Sequence, residues 1–231
     1  MADKVTKHDM KIEKFVFNPI QENTYVLWDE PSSECVIVDA GNCNERENRS
    51  LASFIESHAL KPVLAINTHG HFDHTMGVQF VKEAFGIPFA MSSEDAFLVE
   101  HGKESGAMFG IAVGDMPGID IDLSQSDEVR FGGTVLKIIK VPGHTPGGIA
   151  LLEPVTKSLF TGDTLFRESI GRTDLPGGDY KAIMSSIIER ILPLGDDTVI
   201  YPGHGDKSDI GYETLYNPFI IEVLNEEVRY K

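Results

Sequence analysis

The chain alternates short, continuously apolar runs with amphipathic ones. Residues 11–17 (KIEKFVF), 23–29 (NTYVLWD), 34–41 (ECVIVDAG), 62–68 (PVLAINT) and 87–91 (IPFAM) are rich in β-branched and aromatic side chains and bounded by turn formers, which predicts strands. Between the third and fourth, Leu51, Phe54, Ile55 and Leu60 recur at helical spacing, and Pro62 follows as a stop. Helices are also predicted over 75–86, ending at Gly86, and over 93–110, interrupted near its glycines; the acidic tract 111–126 reads as loop. The second half repeats the alternation: strands at 134–143, 148–154 and 157–166, an amphipathic helix at 179–194, and a strand running into a loop at 197–205. A short capped helix with Pro218 in its first turn closes the chain.

Hairpin-like strands followed by helices in each half predict an α/β fold of two similar sheets packed face to face with helices outside. A single doubly wound parallel sheet is the alternative. It would want a glycine-rich phosphate loop after its first strands, and VDAGNCNERE carries neither nucleotide-binding pattern.

Composition narrows the function classes. The 231 residues suit one larger domain or two small ones, and bury enough surface to need no covalent staples. A formal charge of −16 argues against nucleic-acid backbones and anionic membrane surfaces as partners. The N-terminus lacks the apolar segment of a secretory signal, and no apolar run reaches the roughly 18 residues of a membrane span. Cys35 and Cys43 read as reduced thiols, since neither neighbours a histidine and two cysteines make no disulfide framework. A cytoplasmic protein is expected.

The candidate chemistry lies in AINTHGHFDHTMG. His69, His71, Asp73 and His74 follow an apolar run and precede a helix, so they sit on a strand-to-helix loop. His69 and His71, two apart in extended chain, can point the same way, whereas Asp73 and His74 come after the chain has turned. One loop could therefore serve two adjacent points in space. Histidine mixed with carboxylate suits zinc, iron or manganese. His144 in VPGHTPGG, Asp163 in FTGDTLF and His204 in YPGHG follow strands in the same way, in loops whose glycines permit close approach. Five histidines and two aspartates at such junctions are enough for two metals sharing a carboxylate.

The motifs T-H-x-H-x-D-H, P-G-H-T-P-G, G-D-T-L-F and G-H-G resemble the metallo-β-lactamase superfamily over nearly the whole chain. Within it, GDTLFRESIGRTDLPGGD and GHGDKSDIGYETLYNPFI are similar to the short bacterial type of glyoxalase II (hydroxyacylglutathione hydrolase). The resemblance implies a four-layer αββα sandwich with two divalent metals, zinc foremost, at one edge of the sheets. It assigns His69, His71 and His144 to one metal, Asp73, His74 and His204 to the other, and Asp163 to both, the metals being about 3.5–4 Å apart. It suggests that Asp39 braces the loop through Thr68, although Asp39 also reads as a plain turn residue.

The expected reaction is attack of a metal-bridging hydroxide on a thioester such as S-lactoylglutathione, with Asp73 orienting the hydroxide or taking up its proton. Residues 205–231 are too short for the helical substrate domain of full-length glyoxalase II, so residues 1–231 are expected to form one hydrolase domain without it. Arg172 remains by position as an anchor for a substrate carboxylate, with Arg167 a weaker candidate and Asp174 standing where those enzymes carry an aromatic residue. A small-molecule partner is implied, and the oligomeric state stays open. The alternatives are a mononuclear-iron persulfide dioxygenase, which also carries a GRTD segment, and a lactonase with the same seven ligands.

Overall fold

The structure, a computed structural model, describes residues 10–229. The first nine residues of the segment judged not to be a secretory signal, and the last two residues of the predicted C-terminal helix, lie outside them.

The first half gives strands β1 (Met10–Phe17), β2 (Glu22–Asp29) and β3 (Glu34–Val38), helix α1 (Glu45–Ser57) and strand β4 (Lys61–Ile66). Helices α2 (Phe72–Thr75) and α3 (Val78–Phe85), strand β5 (Phe89–Met91), helices α4 (Ala96–Glu100) and α5 (Gly102–Met108), and strand β6 (Ile121–Asp122) follow. These six strands form one sheet in chain order, antiparallel from β1 to β3 and parallel from β3 to β6.

The second half gives β7 (Glu128–Phe131), β8 (Thr134–Lys140), β9 (Ile149–Glu153) and β10 (Ser158–Gly162), then a small ribbon of β11 (Leu165–Phe166) and β12 (Ser169–Ile170). Helix α6 (Tyr180–Ser185), strands β13 (Val199–Pro202) and β14 (Ser208–Asp209), and helices α7 (Ile210–Tyr216) and α8 (Pro218–Arg229) complete the chain. The second sheet runs β14-β13-β10-β9-β8-β7, with β10 and β13 parallel and the remaining neighbours antiparallel.

Strand alternation explains the four layers. In β2 and β3, Val26, Cys35 and Ile37 face Leu51 and Ile55 of α1 and Val78 and Val81 of α3. Their neighbours Tyr25, Leu27, Val36 and Val38 face the other way, onto Leu136, Leu151 and Phe160 of the second sheet. Ala150 and Leu159 point outward again, against Ile183 and Ile187 in the α6 region and Ile210 and Ile220 on α7 and α8. Strands buried on both faces must be apolar at successive positions, which is why they read as continuous runs. The fold is the expected αββα sandwich. Cys35 lies in the outer layer of this core, where burial pushes its thiol up to about 12, and Cys43 is exposed; both are free.

The departures from expectation are local. Strands predicted to reach Gly41 and Thr68 stop at Val38 and Ile66, because the chain leaves the ladder to build loops. The strand predicted over 157–166 breaks at Gly162, whose φ of 50° ends the ladder beside Asp163. The helix predicted over 75–86 starts at Val78, after the separate turn α2. The tract read as loop holds the two-residue β6, and α7, unpredicted, is capped by Asp209 accepting from Tyr212 N at 2.7 Å. Among the described residues no helix is long and apolar enough to cross a membrane.

Phe160 sits between the sheets, edge-on to Tyr25 at 5.2 Å and stacked on Tyr201 at 5.0 Å. Replacing Phe160 with alanine is expected to cost about 3–5 kcal/mol. In urea unfolding this should lower the midpoint without changing the slope.

Candidate metal centre

Four strands of the two sheets end at one edge of the sandwich, and each delivers donors just past its last residue. After β4, the chain stays extended to His71 (φ −65°, ψ 147°) and then turns into α2. His69 and His71 precede the turn; Asp73 and His74 follow it. His144 comes after β8, Asp163 after β10 and His204 after β13. The loops of the two sheets are bonded together: Ile149 N donates to Thr68 O at 2.9 Å, Asn23 N to Gly203 O at 2.7 Å, and the Asn23 side chain to Pro202 O and Gly205 O at 2.9 Å each.

The donors gather in two groups. In the first, His69, His71 and His144 offer ring nitrogens within 4.8 Å of one another, and His71 Nδ1 faces His144 Nε2 at 2.8 Å. In the second, Asp73, His74 and His204 do the same, with His204 Nε2 3.2 Å from Asp73 Oδ2 and 3.3 Å from His74 Nε2. Asp163 stands between them. Its Oδ2 is 3.5 Å from His144 Nε2 and 3.7 Å from His204 Nε2, and its Oδ1 is 3.4 Å from His74 Nε2.

Hydrogen bonds on the outer side of the rings fix which nitrogen faces inward. Thr68 Oγ1 donates to Asp39 Oδ2 at 2.7 Å, so it can only accept from His69 Nδ1 at 3.0 Å, which turns His69 Nε2 to the centre. His144 Nδ1 donates to Arg172 O at 2.7 Å, and His204 Nδ1 to Gln21 O at 3.2 Å. His74 Nδ1 lies 3.2 Å from Asp39 Oδ2, off the line of a good hydrogen bond. Asp39 thus braces His69 through Thr68, the role the resemblance suggested, and it also accepts from Thr68 N at 2.7 Å. It does so from φ 52°, a left-handed backbone that non-glycine residues rarely adopt. Gly203 shows how tight the packing is: a Cβ there would lie 2.3 Å from Asp163 Oδ1 and 2.6 Å from His74 Cε1.

Three bracing residues escaped the sequence reading. Asp95 accepts from Gly70 N at 3.0 Å, Thr145 Oγ1 at 2.7 Å and Gly147 N at 2.6 Å, joining the His69–His71 loop to the His144 loop. Asn18 donates to Asp73 O at 2.9 Å and Gly41 O at 3.0 Å. Glu22 lies fully buried, with Oε1 3.9 Å from His74 Nδ1. Each is a single polar residue in an ordinary strand end, turn or helix start, with no local pattern to mark it.

The electrostatics suit a cation. Burial first, and then His144, holds the His71 imidazole down, to about 4. Burial likewise pushes His69 well below its ordinary value, so both rings stay neutral and keep a lone pair. Burial alone would raise the Asp163 carboxyl, but His74, His204 and His144 outweigh it and hold it well below the usual range. His69 Nε2 and Asp163 Oδ1 are buried without any hydrogen-bond partner, a costly state for polar atoms unless a ligand takes them up. The neutral His69 and His71 imidazoles and the ionised Asp163 carboxylate, with orphaned inward atoms on His69 and Asp163, fit a divalent metal ion.

The centre opens into a cleft of about 640 Å³. Arg172 lines it, but its guanidinium makes a two-pronged bond to Asp174, 2.7 Å at each prong. Arg167 instead lies over the Tyr212 ring at 4.5 Å.

Known proteins agree with this architecture. The metallo-beta-lactamase superfamily model matches residues 17–204. The hydroxyacylglutathione hydrolase GloC of Haemophilus influenzae is 38% identical over 218 residues, which is 91% of this chain and 98% of that one. The B3 metallo-beta-lactamase BLEG-1 superposes with a TM-score of 0.84 at 32% identity, over 91% of this chain and 99% of its own. TTHA1623, solved in a di-iron-bound form, does so with a TM-score of 0.79 at 32% identity, over 90% of this chain and 99% of that chain.

Thr68→Val keeps the shape of residue 68 and removes the hydroxyl that accepts from His69. Metal affinity, measured by competition with a chelator, is expected to fall about 10–100-fold while the fold is retained.

Proposed function

The chain belongs to the metallo-beta-lactamase superfamily, and we propose that it is a dinuclear metal-dependent hydrolase that cleaves thioesters. The position of the Asp163 carboxylate between two trios of donors carries this reading. A mononuclear centre would use the first trio with Asp163, and would leave no task for the convergence of Asp73, His74 and His204. In this proposal His69, His71 and His144 hold one ion, Asp73, His74 and His204 the other, and Asp163 both. Zinc is the first choice of ion, and the donor set also accepts iron or manganese.

Two bound divalent cations would supply a hydroxide nucleophile near neutral pH and positive charge for the oxygen of the attacked carbonyl. The remaining chemistry belongs to the chain. Asp73 would orient the water or take up its proton. The Thr68, Arg172 and Gln21 oxygens keep the His69, His144 and His204 imidazoles from rotating as charge develops. One water is consumed, the acyl C–S bond breaks and a C–O bond forms, giving a carboxylate, a thiol and a proton with no change of oxidation state. Thiolate leaves readily, so no general acid is required. The reading of residues 1–231 as one cytoplasmic hydrolase domain acting on a small molecule accompanies this proposal.

Metal content and activity measured on one sample test it. Two ions per chain, with hydrolysis of S-lactoylglutathione or a simpler thioester that chelation abolishes and metal restores, are expected. One iron per chain with oxygen uptake on glutathione persulfide would instead establish a dioxygenase. Asp163→Ala is expected to bring thioester hydrolysis to background; unchanged activity would contradict the bridging role.

A further inference from the structure

The cleft beside the centre carries a cluster of apolar side chains alongside the polar His101, Ser105 and Ser169. Phe97 of α4, Met108 of α5 and the adjacent Phe109 form one wall, with 36%, 83% and 49% of their surface exposed. Phe166, Leu175 and Pro176 face the same space. Side chains of this kind are ordinarily buried, and a contiguous exposed group of them beside a polar centre marks a binding surface. The wall is also fixed in place. Phe109 packs on the buried Phe72 of α2 at 5.6 Å, beside Asp73 and His74. The Gly177 turn sits so close to Phe97 that a Cβ there would approach its ring to 3.3 Å.

Charge points the same way. Among the described residues, Arg172 is the only lysine or arginine lining the cleft, and both prongs of its guanidinium go to Asp174. The chain as a whole carries a net charge of −16. A glutathione thioester brings two carboxylates and one ammonium. Its carboxylates would meet no free lysine or arginine along the cleft, and the acid-rich surface of the chain would oppose them.

We infer that the substrate of this cleft is a thioester whose acyl chain is apolar and whose thiol part is small and uncharged, rather than a glutathione conjugate. The inference rests on the hydrolase reading and specifies its substrate. The acyl chain lies along Phe97, Met108 and Phe109, with the carbonyl at the donors and the neutral thiol toward Arg172 and Asp174.

Acetyl, butyryl and hexanoyl thioesters of N-acetylcysteamine, compared with S-lactoylglutathione on the metal-loaded protein, test it. Each added methylene is expected to raise kcat/KM about threefold to fourfold, the factor for burying one CH₂, and the hexanoyl ester should exceed S-lactoylglutathione. Calorimetry supplies a readout without turnover: S-hexyl-N-acetylcysteamine, a thioether that cannot be hydrolysed, should bind more tightly than its S-ethyl analogue and than S-hexylglutathione. Met108→Ser with Phe109→Ser should flatten the chain-length dependence in both measurements. Asp174→Ala, by freeing Arg172, should raise S-lactoylglutathione turnover relative to the acetyl ester about twofold to fivefold, the range for releasing an exposed ion pair. Hydrolysis with no chain-length dependence, or with S-lactoylglutathione preferred, overturns the inference and leaves the hydrolase reading standing. Absence of hydrolysis with every thioester overturns that reading, and the inference with it.

Discussion

Four carboxylates surround the buried His74 ring. Asp39 and Glu22 approach its Nδ1 side at 3.2 and 3.9 Å, and Asp163 and Asp73 its Nε2 side at 3.4 and 3.8 Å. Burial pushes the Glu22 carboxyl well above its ordinary value, but taking the three aspartates out of water is still costly unless positive charge sits among them. The chain meets part of that demand itself, since Asp163 and Asp73 outweigh burial and raise the His74 imidazole well above its ordinary value. The arrangement that makes this edge difficult to build is the one that suits it to divalent ions. Asp39 in left-handed backbone and Gly203 pressed against Asp163 are local consequences of the crowding.

The sandwich makes the crowding tolerable. Two sheets buried on both faces give rigid strand ends, and the second sheet is bonded to the first at the edge where those ends converge, through Asn23 and Ile149. Asp95 then joins the two histidine loops of different sheets with three hydrogen bonds. Donors held by such a frame need little rearrangement to receive an ion.

Much of this was legible in the chain. The donors stand directly after apolar runs and beside glycines, so the pattern that marks a strand also marks where its cargo is delivered, and the turn after His71 splits the four residues of one loop as their spacing suggested. The two facing sheets followed from hairpin-like strands succeeded by helices in each half, and the four-layer form from the family resemblance. What stayed hidden is tertiary. Glu22, Asn18 and Asp95 act through partners far away in sequence, and nothing local separates them from other strand-end and turn residues. Phe97, Met108 and Phe109 look like core residues, and only the packing of α5 beside α2 leaves them facing a cleft. Arg172 was visible as a cation, whereas its fork with Asp174 is a matter of side-chain geometry.

In the proposed centre, one edge of the sandwich would hold two ions joined by a single carboxylate. A crystal structure of the metal-loaded protein, with anomalous scattering recorded at the absorption edge of the bound metal, tests it most directly. Two anomalous peaks are predicted, one among His69, His71 and His144 and one among Asp73, His74 and His204, with Asp163 reaching both. A single peak at the first group under saturating metal, with His74 and His204 uncoordinated, would contradict it.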